Sequence, residues 1–293
     1  MSPQVVINLW HDFAELCRLD LAARGHHIAG YEDEKVVWLF LNANRNSIEP
    51  IPRSVQRSSV FSCPKEHEDA LSVIEQKIER GEDINPHRSK LNKDPGNIND
   101  ELLNHWGIYH LHLGLDIGDD GFADRTGPLI YCRFDSENAF LIGIYSHGVW
   151  THQDLLQIVH DNWPESISHW KGRALSGDTL TDGQVKNLRK NRVNHAVTMT
   201  DDTVYLPPGG GVTAAGSNTL DVLHADCLKQ WAQSEEEKIL EKWDAITERA
   251  ADRDLAFGDP AELRLEIHGE TFFAVETLTN YELALLDPES YCR

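Results

Sequence analysis

GIYHLHLG, residues 107–114, decides how the middle of this chain is read. Side chains alternate faces along a strand, so Ile108, His110 and His112 share one face and Tyr109, Leu111 and Leu113 the other. The spacing predicts that the apolar face packs on helices and the histidine face looks outward. Imidazole titrates closest to neutrality, so two histidines on one open face can divide into a general base and a general acid. Two further strand-like runs follow, Leu129 to Phe134 and Ala139 to His147, joined by the turn Asp135-Ser136-Glu137-Asn138. An antiparallel meander is the simplest assembly of the three, and His147 at its end is a candidate to join the pair.

Outward from that meander, EHEDALSVIEQKIERG carries Leu71, Ile74 and Ile78 at helical spacing and closes on Gly81; it predicts an amphipathic helix with a glycine C-cap. Asp100 is placed to cap a short helix through Leu102, Leu103 and Trp106. Thr151 to Asn162 predicts a helix ended by Pro164. Nearer the N-terminus, residues 7–24 predict a helix with Gly25 as its stop, Lys35 to Asn42 (KVVWLFLN) a buried strand, and RSVQRSSVF an edge strand. Toward the C-terminus, AVTMTDDTVYLP predicts a hairpin around Asp201-Asp202 and PPGGGVTAAGSN a tight connection. A long acidic helix spans roughly Thr219 to Arg253, and two strands flank Gly269. These elements make an α+β protein with a central antiparallel meander packed on helices. They divide as residues 1–62, 63–165 and 166–293, the outer two being α+β additions.

The 293 residues carry a formal charge of −21, so the bulk surface repels polyanions and any nucleic-acid site must be a local basic patch. One stretch fits that description: residues 166–196, with Lys171, Arg173, Lys186, Arg189, Lys190 and Arg192 opposed by Asp178 and Asp182. There Lys186 and Arg189 are candidates to grip a phosphate backbone, the alternative being a solvated helix face or a partner for the acidic helix. The five cysteines are scattered without a CxxC pair, which fits a reduced cytoplasm. No basic-then-apolar leader and no run of about 18 apolar residues appears, so no membrane partner is expected. Two histidines at i and i+2 plus a third from a neighbouring strand could present three nitrogens to zinc. Neither HExxH nor HxHxDH is present, and no metal is assigned.

The order helix, polar turn, short helix, GIYHLHLG, loop, PLIYCRF, turn, AFLIGIYSHGVW and closing helix is similar to the RelE/ParE-like toxin fold, over roughly residues 66 to 162. The resemblance implies a metal-independent ribonuclease of toxin or phage-defence type, with RNA as substrate, no cofactor, and a protein partner or antitoxin. His110 and His112 stand where ribonuclease members keep basic residues that stabilise phosphate charge and exchange protons with the 2′-hydroxyl. His147 matches the basic residue closing the fourth strand, and Trp150 or His152 lies near the family's terminal aromatic, where it would stack on a base. Pro128 opens the third strand where an arginine is usual, leaving Arg125 or Arg133 to supply the cation. Two other readings stand beside this one: a non-catalytic interaction protein whose acidic surface binds a basic partner, and a histidine-metal hydrolase.

Overall fold

A computed structural model describes residues 5–90, 100–146, 148, 152–172 and 180–292. The chain forms two compact units, residues 42–220 and residues 1–41 with 221–293. These are not the three consecutive segments expected from the pattern, because the N-terminal strand and helix belong with the C-terminal elements.

The 42–220 unit is built on a four-stranded sheet of order β2-β5-β4-β3. Its strands are β2 (Ser54–Arg57), β3 (Tyr109–His112), β4 (Pro128–Phe134) and β5 (Asn138–Ser146). β3–β4 and β4–β5 pair antiparallel, while β2 adds parallel to β5 as an edge. The turn between β4 and β5 is set by Asp135, whose carboxylate accepts from the amides of Glu137 and Asn138 at 2.8 and 2.6 Å. Helix α3 (Glu68–Arg80) buries Ala70, Leu71, Ile74 and Ile78 and ends at Gly81 with φ +70°. Glycine is needed there twice over, since a Cβ would also run into Pro52. The short α4 (Glu101–Trp106) is capped by the Asp100 side chain and closed by Gly107 at φ +65°. Helices α5 (Asp154–Asn162) and α6 (Asp182–Lys190) follow, and then the hairpin of β6 (Val197–Thr198) and β7 (Val204–Tyr205) around Asp201-Asp202.

Both faces of this sheet are covered. Leu111, Leu113, Ile130, Cys132 and Leu141 pack on α3. On the opposite face, Ile108, Leu129, Tyr131, Phe140 and Ile142 pack with α4, α5, α6 and the β6–β7 hairpin. The expectation of an outward-looking histidine face is therefore overturned, because the elements after β5 return to lay a second layer over it.

Two other expectations are corrected. Residues 35–42 lie within helix α2 (Asp33–Asn46), not in a strand. A short apolar run has no period that separates a buried helix from a buried strand, and Asp33 and Glu34 suit a helix N-terminus. The long acidic helix is two helices, α7 (Thr219–Glu241) and α8 (Trp243–Ala251), parted at Lys242 with φ −103° and ψ 8°.

In the other unit, β1 (Val5–Val6), β8 (Ala261–His268), β9 (Thr271–Glu276) and β10 (Tyr281–Ala284) form a sheet in the order β1-β8-β9-β10, with β1 parallel to β8. Helices α1 (Leu9–Ala23), α7 and α8 pack on it through Leu9, Trp231, Ile239, Trp243 and Ile246. Cys227 of α7 is disulfide-bonded to Cys292, which follows the terminal helix α9 (Pro288–Tyr291), with Cα atoms 5.8 Å apart. This corrects the picture of five unpaired cysteines: the partners are 65 residues apart, and no spacing rule links them. Among the described residues, no helix is long and apolar enough to cross a membrane.

Candidate functional site

β3 is the edge strand of its sheet, so its outward carbonyls need partners from elsewhere. The 3₁₀ turn Asn85–His87 and the following Arg88 supply them. His87 Nδ1 lies 3.0 Å from the His112 carbonyl, which fixes the proton on Nδ1, and Arg88 Nη1 donates to the His110 carbonyl at 3.5 Å. Burial pushes the His87 imidazole below its ordinary pKa.

A carboxylate is delivered to the same edge by α4. Because the helix is six residues long and reverses at Gly107, its N-cap returns beside the strand. Asp100 divides its oxygens. Oδ1 accepts from the Leu103 amide at 3.1 Å, while Oδ2 lies 3.4 Å from His110 Nδ1 and 3.7 Å from Arg88 Nη2. His110 keeps 22% side-chain exposure against 12% for Asp100, so the imidazole is half-buried and the more exposed member of the pair.

His110 stands opposite Tyr131 of β4, and Tyr131 opposite Gly143 of β5. The ring centroids of His110 and Tyr131 are 6.5 Å apart, and those of Tyr131 and Tyr145 are 5.9 Å apart. Tyr145 lies over Gly143, where a Cβ would collide with its ring. The Tyr131 hydroxyl is buried and has no hydrogen-bond partner among the described residues. Burial, with Asp100 adding to it, pushes the phenol up to about 12.

His112 and Arg133 do different work from that expected of them. His112 is buried, and its Nδ1 accepts from the Thr126 amide at 3.3 Å, tying β3 to the loop that leads into β4. Arg133 Nη1 donates to the carbonyls of Trp106 and Gly107 at 2.7 and 3.3 Å, and Nη2 to that of Ser166 at 3.3 Å. Burial lowers the guanidinium to about 10, still charged at neutral pH and seated at the C-terminal end of α4. The other carbonyls of the last α4 turn are met by Gly107 N to Leu103, Gly211 N to Asn104 and Gly209 N to His105. That is the service of the PPGGG loop, and a Cβ at Gly209 would strike the Leu103 and Asn104 carbonyls.

Arg189 is also corrected as a phosphate-gripping residue. It is buried with its guanidinium carbon 4.0 Å from the Trp106 ring centroid, whereas Lys186 on the same helix is exposed. Beside Arg189 lie His105 and His195, ring centroids 6.1 Å apart. Burial first, and then the Arg189 charge, lowers His105 to about 3 and His195 to about 4, so both are neutral at pH 7. Arg125, in the loop before β4, and His152, before α5, are exposed. His147 and Trp150 lie outside the described residues.

Among the described residues, one group has donor atoms close enough to share a cation: His11 and Glu15 of α1 with Asp33, all within 4.8 Å of one another. It lies in the other unit and does not involve the β3 histidines. Arg18 donates to Glu15 at 2.7 Å and to Asp33 at 2.8 Å, and His11 to Asp33 at 2.8 Å, so the group is a closed ion-pair network. Compared with known proteins, the chain matches no family model, no curated protein and no solved structure.

Asp100, Arg88 and Tyr131 were not singled out as site residues by the sequence. Asp100 reads there as a helix cap, and the one signal for more is its position ten residues before His110 across a short helix and a glycine reversal. What the described arrangement offers is a half-buried imidazole backed by a carboxylate, with a cation near the carboxylate and a buried phenol across the strand pair. A carboxylate that fixes the ring and stabilises the imidazolium is the arrangement a general base needs.

Proposed function

We propose that the protein is a metal-independent ribonuclease in which His110 is the general base. The observation that carries this reading is the Asp100–His110 pair at the edge of the sheet, Oδ2 to Nδ1 3.4 Å, with the imidazole half-buried and the more exposed of the two. His110 takes the proton of an RNA 2′-hydroxyl as its oxygen bonds to the adjacent phosphorus. The bond from phosphorus to the 5′-oxygen breaks, a 2′,3′-cyclic phosphate forms, and the departing oxygen is protonated from solvent. Asp100 stabilises the imidazolium, and Arg88 Nη2 lies 3.7 Å from the same carboxylate oxygen. Deployment as a toxin or in phage defence rests on the resemblance in element order alone.

The test is purified protein with RNA, with and without EDTA, comparing wild type with His110→Ala, Asp100→Asn and His112→Ala. Cleavage should persist in EDTA, fall at least about a hundredfold in His110→Ala, and fall less in Asp100→Asn. His112→Ala should act through stability, since its ring holds the Thr126 amide. Cleavage undiminished in His110→Ala refutes the reading, and cleavage abolished by EDTA transfers it to a metal hydrolase.

The second reading is an interaction protein on the same scaffold. The net charge of −21 and the use of His112 and Arg133 to hold backbone groups favour it. A folded wild type that leaves RNA intact and captures a protein partner supports it. An RNA substrate also implies cytoplasmic residence, where thiols reduce accessible disulfides. Alkylation of the protein in its host cells, finding Cys227 and Cys292 as free thiols, would agree with that residence.

A further inference from the structure

Helix α1 sets His11 and Glu15 four residues apart, one turn along a single face, and Asp33 opens α2 beside them. One donor atom from each of the three lies within 4.8 Å of the other two. The bonds that close this network do not use up its oxygens. Arg18 takes Oε1 of Glu15 at 2.7 Å and Oδ1 of Asp33 at 2.8 Å, which leaves the second oxygen of each carboxylate for another partner. For Asp33 that oxygen is Oδ2, 2.8 Å from His11 Nδ1. His11 and Glu15 keep 46% and 50% side-chain exposure, so the group is reached directly from solvent.

We propose that His11, Glu15 and Asp33 are the protein ligands of a divalent transition-metal ion of the zinc type, which pins α1 to the start of α2. The ion takes the place of the hydrogen between His11 Nδ1 and Asp33 Oδ2, and the neutral ring keeps its one proton on Nε2. One imidazole nitrogen with two carboxylate oxygens is a donor set for zinc, whereas magnesium and calcium want six or more oxygens. Around zinc, with bonds of about 2.0 to 2.2 Å, neighbouring donors of a tetrahedron stand roughly 3.4 Å apart. The His11–Asp33 contact therefore opens by about half an ångström, and the exposed Glu15 side chain swings in, a water completing the fourth position. Arg18 then holds both carboxylates from outside the ion's own shell, the support that ligating side chains need. A chain of formal charge −21 also draws cations to its surface. The site lies in the 1–41 and 221–293 unit and contains neither His110 nor Asp100, so it is independent of the ribonuclease reading.

The experiment takes the full chain, treated with EDTA and dialysed, and adds zinc chloride or magnesium chloride while binding is followed by calorimetry and unfolding by melting temperature. Wild type should bind one zinc and melt about 5 °C higher at a hundredfold excess over Kd, and magnesium should do neither. His11→Gln and Asp33→Asn should each weaken zinc binding by at least about a hundredfold, more than the loss of an outer partner costs, and abolish the shift. Glutamine at the exposed position 11 keeps the helix, so His11→Gln tests the site even if Asp33→Asn, which also loosens Arg18, melts early. His268→Gln is the control: its ring lies between Glu266 and Glu282 on the exposed end of β8, and it should bind zinc as wild type does. The inference is overturned if wild type takes up no zinc, if magnesium binds equally well, if His11→Gln binds zinc undiminished, or if binding is lost in His268→Gln instead.

Discussion

Lowering the pH from 7 to 5 should destabilise the 42–220 unit through two imidazoles buried beside a fixed cation. In the folded protein His105 titrates at about 3 and His195 at about 4, against an ordinary value of 6.5. Both folded values lie below the unfolded one, so the unfolded chain gains protons as pH falls through 6.5 while the native state does not. Their contribution is therefore intact above about pH 6.5 and is lost progressively as the pH falls toward 4 and then 3. At pH 5 the unfolded imidazoles are almost fully protonated and the folded ones at most about a tenth so, which makes about 2 kcal/mol each and about 4 kcal/mol together. Shared proximity to Arg189 couples the two, so the sum is an upper figure. The measurement is urea unfolding at pH 7 and pH 5, followed by amide exchange in β4 and β5, for wild type and for the double variant His105→Gln, His195→Gln. Carboxylates titrate alike in both proteins and cancel in the comparison. The double variant should show a pH-dependent loss smaller than wild type by about 3 to 4 kcal/mol. An equal loss in the two proteins would refute the argument that these rings are held neutral by burial.

Arg133→Met should destabilise this unit by about 3 kcal/mol in chemical denaturation, because it leaves the Trp106, Gly107 and Ser166 carbonyls without their donor. Gly209→Ala should lower stability by about 1 to 3 kcal/mol, measured the same way, since the added methyl meets the Leu103 and Asn104 carbonyls of α4. Cys227→Ser, or reduction of the wild type, should weaken the other unit by about 2 to 4 kcal/mol, the bridge closing a loop of 65 residues. Calorimetry before and after reductant checks it.

The meander and α3 were legible because local and global demands agree there. Period-two alternation in GIYHLHLG, a turn carried by Asp135, and an apolar stripe closing on Gly81 each mark an element by its own residues. KVVWLFLN failed for the opposite reason. Val36, Val37, Leu39 and Leu41 are all buried, and a segment buried on several sides shows no face from which a period can be read. The break at Lys242 was hidden because the stripe Trp231, Ile239, Trp243, Ile246 continues across it, and the residue that leaves helical geometry is an ordinary helix former. The Cys227–Cys292 pair depends on where α7 and α9 come together, which no local pattern encodes.

The two histidines of β3 show where reading of the site stops. Alternation puts His110 and His112 on one face with equal standing, and it says nothing of depth. His110 lies opposite Tyr131 and beside Asp100, a residue that arrives through the turn of α4, and it keeps solvent contact. Two residues on, His112 lies opposite Leu129, and the loop leading into β4 closes on it through Thr126. What separates the proposed base from a structural ring is thus set by the segments on either side of the strand, residues 100–107 before it and 113–127 after it. The consequence for mutagenesis is specific. Alanine at 110 should change chemistry at nearly constant stability, alanine at 112 should change stability first, and a pair that behaved alike in both respects would mean that the edge of this sheet is not the working surface.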